Sequence, residues 1–279
     1  MAEAKAGCLT KSTFTLWQLP EQTPVQMMSY VIQTVGGKLV VVDGGYSGDA
    51  PYLRKFLKER GNRVEAWFIS HPHADHIDAL TAILRDRGGL KIVNVYASLP
   101  EEDWVSRCEP GSTASLHNLS DALQTAHLSV TDLKLGDDLK IDGVRVEVLG
   151  VRNPEIEANA LNNSSVVLRM SDKTKSVLFL GDLGVEGGEK LLNTTRGYRL
   201  HADYVQMAHH GQAGVGEQVY RTIAPSYCLW PTPLWLWDCD NGGGKGSGGW
   251  KTLEVRAWMD KLHIKRHYVT GVDGLSKIE

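Results

Sequence analysis

Twice along this 279-residue chain the same order recurs: an apolar run ends in aspartate, a helical stretch follows, and the next apolar run ends in histidine. The first instance leads from Asp43 to His71, and the second from Asp182 to His209. A short apolar run followed by an amphipathic stretch describes a strand whose sheet is covered by a helix on one face. Two such halves, roughly residues 1–135 and 136–279, bury their remaining faces by meeting sheet to sheet with the helices outside. That arrangement brings the strand ends of both halves to one edge. No Pro-rich or charged linker parts the halves, so the chain reads as one α/β domain.

One of these strand ends is dense in metal-binding chemistry. His71-Pro72-His73-Ala74-Asp75-His76 sets three imidazoles and a carboxylate directly after the apolar run 64–70. Imidazole and carboxylate together suit a borderline transition metal such as Zn²⁺. In extended backbone, residues two apart point the same way, so His71 and His73 can share one ion. A helix beginning near Asp75 and His76 turns those two side chains towards a neighbouring ion.

Periodicity supplies the remaining elements. Strands are expected over 13–19, 28–34 and 38–42, with Gly36-Gly37 as the hairpin turn, and helices over 50–60 and 77–87. A strand over 90–97 and a helix over 115–128 follow, then a strand pair over 139–149 around Asp142-Gly143. Further strands fall at 165–170, 176–180, 202–208, 227–230 and 266–271, with helices at 188–196, 218–223 and 252–263. The glycine-rich tract 242–249 is too entropic to order without help and reads as a mobile loop or lid.

Composition narrows the function classes. A net charge of −3 argues against a broad nucleic-acid footprint or a basic membrane surface. No apolar stretch approaches the roughly 18 residues needed to cross a bilayer, and Met1 to Cys8 leads into no apolar signal-peptide core. Cys8, Cys108, Cys228 and Cys239 are scattered, form no CxxC pair, and read as reduced thiols of a cytoplasmic protein. Neither a phosphate-binding glycine loop nor a Ser/His/Asp arrangement offers a different chemistry.

The ordered set Val41-Val42-Asp43-Gly44-Gly45, the H-x-H-x-D-H stretch, Leu180-Gly181-Asp182 and His209-His210-Gly211 resembles the metallo-β-lactamase superfamily from about Tyr30 to Gly274. That resemblance implies a four-layer αββα sandwich and, for most members, hydrolysis at two metal ions. Within the superfamily the chain looks most like the nuclease-type domain of bacterial DNA-uptake competence proteins and the related phosphorylcholine esterases. Asn162-Asn163-Ser164-Ser165 before the Gly-Asp strand and the doubled histidine carry this finer likeness.

By the family pattern, His71 and His73 hold metal one, while Asp75, His76 and His209 hold metal two, with His210 as the alternative to His209. Asp182 bridges the ions, and Asp43 orients the loop from behind, as partners of ligating imidazoles do. Many members carry a third metal-one histidine where this chain has Asn162-Asn163. An amide is the poorer zinc ligand, so Mn²⁺ stands beside Zn²⁺ as the expected ion; His117 and His127 are imidazoles available to compensate, though both read first as structural.

The implied reaction is attack by a hydroxide shared between two ions roughly 3.5–4 Å apart, with Asp75 and Asp182 handling the proton. A small-molecule or nucleotide-type phosphodiester is the expected substrate. A carboxyl ester or lactone on the same ions, and a non-catalytic metal-binding relative, are the alternatives. Three tryptophans in the run from Trp230 to Trp237 either stack a substrate or fill the sandwich core.

Overall fold

Three apolar cores are stacked through the molecule, and their order sets its layers. In the strand Leu39–Asp43, Leu39 and Val41 face one core while Val40 and Val42 face the next, so both faces of the strand are apolar. The outer core packs that sheet against Phe56 and Leu57 of helix Ala50–Lys58, Leu80 and Leu84 of Ala74–Arg85, and Leu119 of Thr113–Thr125. The central core lies between the sheets, where Tyr30, Val42 and Phe68 meet Val148, Leu168 and Phe179. The third core packs Leu178, Val205 and Trp230 against Leu191, Tyr220 and Met259 from the helices beyond the second sheet. Helix, sheet, sheet and helix therefore form the four layers of an αββα sandwich. This computed structural model describes residues 12–195 and 197–279; Cys8 and the reading of Met1 to Cys8 lie outside them.

The first sheet runs in the order Ser276–Ile278, Phe14–Gln18, Ser29–Thr34, Leu39–Asp43, Arg63–Phe68, Val95–Ala97 and Val130–Asp132. The second runs Arg266–Val269, Tyr227–Trp230, Tyr204–Gln206, Ser176–Phe179, Val167–Ser171, Val144–Gly150 and Asp138–Ile141. Leu39–Asp43 lies parallel to Arg63–Phe68, and Ser176–Phe179 parallel to Tyr204–Gln206. Parallel neighbours end at the same edge, so Asp43 meets the residues after Phe68, and Asp182 those after Gln206.

At the opposite edge two turn aspartates tie the sheets together. Asp142 Oδ2 accepts Thr34 Oγ1 at 2.6 Å and the Gly36 N–H at 2.9 Å, which joins one hairpin to the other. Asp172 Oδ2 accepts the Thr13 N–H at 2.6 Å, while its Oδ1 accepts the Thr174 and Lys175 N–H groups at 2.6 and 2.9 Å.

Several elements differ from the periodicity reading, each for a local reason. The strand expected over 90–97 is broken into Lys91–Ile92 and Val95–Ala97. Asn94 breaks it: its side chain donates to Glu65 O at 3.0 Å, and its carbonyl takes the Trp67 N–H at 2.9 Å. Helix Glu102–Cys108 and the strands Val130–Asp132 and Ser276–Ile278 are too short for a periodic signal. The last of these crosses from the second half to pair with Phe14–Gln18 in the first sheet. Around the glycine tract, Asp240 Oδ1 accepts the Gly242 and Gly244 N–H groups at 2.8 and 2.9 Å, and Trp250 packs 4.9 Å from Trp235. The carboxylate at its entrance supplies the order that glycine alone lacks. Trp230 is fully buried in the third core, and Trp235 Nε1 donates to Pro24 O at 3.1 Å.

Burial raises the Asp172 carboxyl, but the hydrogen bonds from Thr174, Thr13 and Lys175 outweigh it and hold the group far below the usual carboxylate range. A carboxyl depressed in the folded state stabilises the fold above its unfolded value near 4 and stops doing so as pH falls through its folded value. Asp172→Ala is expected to cost about 1.5–3 kcal/mol at pH 7. The difference from wild type should shrink below about pH 4. Urea unfolding at both pH values measures it, and a constant difference contradicts the assignment.

Candidate metal centre

Three of the strands that reach the site end in backbone turns that few side chains accept. Asp43, His209 and His210 are non-glycine residues with φ of 56°, 52° and 54°. Such left-handed residues are uncommon and concentrate where surrounding structure over-determines them. Glycines serve the same bend where a side chain has no room: a Cβ on Gly181, at φ 57°, would lie 2.8 Å from Ser165 Oγ. The Gly before Asp182 is therefore a steric requirement of the turn that aims the carboxylate inward.

Four histidines are anchored through one ring nitrogen, leaving the other for an ion. The Ser70 N–H and Ser70 Oγ each donate to Asp43 at 2.7 Å, and His76 Nδ1 donates to Asp43 Oδ2 at 2.7 Å. Ser70 Oγ, its proton committed to Asp43, lies 3.0 Å from His71 Nδ1 and accepts from it. His210 Nδ1 donates to Pro231 O at 3.0 Å. His73 Nε2 is paired with the Glu109 carboxylate. The nitrogens left facing inward are Nε2 of His71, His76 and His210, and Nδ1 of His73. An imidazole held this way keeps a fixed tautomer and a free lone pair.

These nitrogens and two carboxylates form two adjacent groups. His76 Nε2 lies 3.3 Å from Asp182 Oδ1, while His210 Nε2 lies 3.3 Å from Asp182 Oδ2 and 3.1 Å from Asp75 Oδ2. Ligand atoms of Asp75, His76, Asp182 and His210 all lie within 4.8 Å of one another, and all four residues are buried. Beside them, His71 Nε2 and His73 Nδ1 are 3.0 Å apart. Two donors each about 2.0–2.1 Å from a tetrahedral ion stand about 3.3 Å apart, so both spacings suit a metal. Buried His76 Nε2 and Asp182 Oδ1 face each other at 3.3 Å without a well-aligned hydrogen bond, and have no other partner among the described residues. Buried polar atoms without partners are rare and costly, and here the donor chemistry fits a divalent cation.

The electrostatics of the site follow from the same packing. Burial, then His76 and His73, hold His71 well below the usual imidazole value, so it is neutral and able to ligate. Burial pulls His76 down as well, but Asp182, Asp75 and Asp43 outweigh it and hold it well above. His210 is likewise lowered by burial, yet Asp182 and Asp75 lift it to about 9. Burial raises Asp182, and His210 and His76 overcome that to keep it ionised. Incoming cations would displace protons from His76 and His210 and take over their role of balancing the carboxylates.

Of the residues singled out in the sequence, His71, His73, Asp75, His76, Asp182 and His210 are brought together, with Asp43 behind them. His209 stands at the lip: its side chain is 24% exposed, its Nε2 is 3.9 Å from Asp182 Oδ2, and its Nδ1 donates to Ala213 O at 3.2 Å. It is not in the four-residue group, whereas His210 is. Asn162 and Asn163 are buried in the turn leading to Ser165, whose Oγ accepts the Asp182 N–H at 3.0 Å. His117 faces Glu102 and Asp121 on an exposed helix surface, and His127 belongs to neither group. Sequence reasoning missed Glu109, which lies 36 residues from His73 in an irregular stretch. The only local signal was a carboxylate directly before Pro110-Gly111.

Comparison with known proteins bears on the family and the fold. The sequence model of the Metallo-beta-lactamase superfamily matches residues 23–209. ComE operon protein 3 of Bacillus subtilis is 26% identical over 181 residues, 63% of this chain, which spans only 21% of that protein. The structure is similar to YhfI from Bacillus subtilis, a metallo-beta-lactamase fold protein, at 11% identity and a TM-score of 0.60, covering 96% of this chain and all of that one. It is also similar to Zn²⁺-bound PqqB from Methylobacterium extorquens, at 12% identity and a TM-score of 0.51 over 91% and 87% of the two chains. CmlA, a diiron β-hydroxylase from Streptomyces venezuelae, matches at 15% identity and a TM-score of 0.58 over 97% of this chain and 55% of its own. At such identities the likeness is one of fold.

The doubled histidine yields a prediction. His210→Ala should weaken uptake of one Zn²⁺ by at least roughly 10–100-fold, while His209→Ala should leave Zn²⁺ affinity essentially unchanged. Competition titration against a chelating indicator measures both, and the reverse ranking would contradict the geometry.

Proposed function

The chain belongs to the metallo-beta-lactamase superfamily, and we propose that it is a metal-dependent hydrolase that cleaves a small-molecule or nucleotide-type phosphodiester with two divalent cations. The observation that carries this reading is the buried convergence of His76, Asp182, His210 and Asp75 from opposite sheets, beside the His71–His73 pair. The first ion would be held by His71 and His73, the second by Asp75, His76 and His210, and Asp182 would be the carboxylate common to both. Zn²⁺ is the first choice, supported by the Zn²⁺-bound neighbour PqqB, and Mn²⁺ the second, because asparagine stands where a third imidazole would favour zinc. Bound there, two such ions supply Lewis acidity and a nucleophilic water at neutral pH.

The protein's own groups do the positioning. Asp43 and Ser70 lock the tautomers of His76 and His71, Glu109 that of His73, and the Pro231 carbonyl that of His210. Asp182 is held by His76 and His210 on either side, and its side chain is only 2% exposed. Asp75 is 11% exposed and touches His210, so it is the carboxylate of the group placed to take a proton from the site towards solvent. Among the described residues no helix is long and apolar enough to cross a membrane.

The phosphodiester reading rests on Asn162-Asn163-Ser164-Ser165 and the doubled histidine, together with the similarity to ComE operon protein 3. Fold alone does not choose the reaction, since a diiron β-hydroxylase shares it. Bis(4-nitrophenyl) phosphate should be turned over with Zn²⁺ or Mn²⁺, lose turnover with chelator and regain it on metal return. Asp182→Asn should lower kcat/KM by at least roughly a hundredfold. Faster turnover of a lactone or carboxyl ester would move the substrate class, and no turnover of any of them with both metals would contradict hydrolysis.

A further inference from the structure

The two groups of donors are unequal. One offers four protein ligands, whereas the other has two imidazoles of its own. Divalent transition ions take four or more donors, so the His71–His73 side is short of a protein ligand.

The adjacent asparagines differ in what their amides do. Asn163 is fully used: its Oδ1 accepts the Gly187 N–H at 2.9 Å, and its Nδ2 donates to Ala158 O and Glu186 Oε2 at 2.8 and 3.0 Å. Asn162 is only 4% exposed, and its Oδ1 is buried with no hydrogen-bond partner among the described residues. Its Nδ2 donates to Asn159 Oδ1 at 2.8 Å, which fixes the sense of the amide and leaves the oxygen as the free end.

The turn carrying Asn162 is pinned to both metal-one histidines. On one side the Leu161 N–H donates to Glu109 Oε2 at 3.2 Å, and Glu109 Oε1 holds His73 Nε2. On the other, the Ser165 N–H donates to Asn162 O at 3.0 Å, and the Val166 N–H to Ser70 O, next to His71, at 2.8 Å. Leaving a buried carbonyl unbonded at such a place is costly unless a ligand takes its lone pair.

We propose that Asn162, through Oδ1, is a third protein donor of that side's own, beside His71 and His73, while Asn163 serves only the turn. This inference rests on the two-ion reading above and deepens it. An amide carbonyl is a harder, neutral donor than imidazole, so this side favours Mn²⁺ relative to Zn²⁺ more than a three-histidine set would. The asparagine thus sets the metal preference of one ion without touching the other.

Stepwise titration of the full chain with Zn²⁺, Mn²⁺ and Co²⁺, the last followed by its visible absorption, tests the assignment. Asn162→Ala should weaken only the looser of two ions, roughly tenfold or more, and change the Co²⁺ spectrum of that step alone. Asn162→His should tighten the same step for Zn²⁺ over Mn²⁺ by a similar factor, which a purely structural role would not produce. If Asn162→Ala does not fold, the His variant decides by that ratio. Two ions bound by both variants with wild-type affinities and spectra overturn the role of Asn162 and leave the two-ion reading standing. A wild-type protein that takes up fewer than two ions overturns both.

Discussion

Three carboxylates and three imidazoles are enclosed where water hardly reaches, and the rest of the molecule is arranged around that concentration of charge. Asp43 and Asp182 are almost completely buried and Asp75 nearly so, as are His71, His76 and His210. Isolated buried carboxylates are very unfavourable, and each must be met by a cation or by several hydrogen bonds. Asp182, Asp75 and Asp43 hold His76 well above the usual imidazole value, and Asp182 and Asp75 lift His210, so these two imidazoles supply the balancing positive charge. Because those same groups would be the ligands of the proposed ions, one set of contacts serves both the fold and the proposed site.

Meeting that requirement needs both sheets. The parallel pairs Leu39–Asp43 with Arg63–Phe68 and Ser176–Phe179 with Tyr204–Gln206 deliver their ends to one edge from opposite sides of the central core. Left-handed residues at Asp43, His209 and His210 turn the chain there. Asp142 and Asp172 fasten the far edges, so the two sheets are tied at both ends. Rigid elements at both sides hold donor atoms to the tolerance a metal demands.

Much of this was legible because it is local. Val40-Val41-Val42 before Asp43, and His71, His73, Asp75 and His76 after one strand, mark a strand and a candidate site by spacing alone. The four-layer order followed from helices placed after strand ends, and three separate cores bear it out. What escaped was set by contacts between distant residues. Glu109 reaches His73 across 36 positions from a stretch without period, and Ser276–Ile278 joins the first sheet although its sequence gives no sign of a partner. His209 and His210 are neighbours of the same type, and only the backbone at that turn separates the residue at the lip from the one inside. The free oxygen of Asn162 is visible only once the amide of Asn163 is seen to be spent on Gly187 and Ala158.

The central claim is that donors from both sheets surround a pair of cations. A crystal structure of Zn²⁺-soaked protein with anomalous data at the zinc edge tests it most directly. The account predicts two peaks, one among Asp75, His76, Asp182 and His210 and a second against His71 and His73, roughly 3.5–4 Å apart. A single peak, or ions bound away from Asp182, would contradict it.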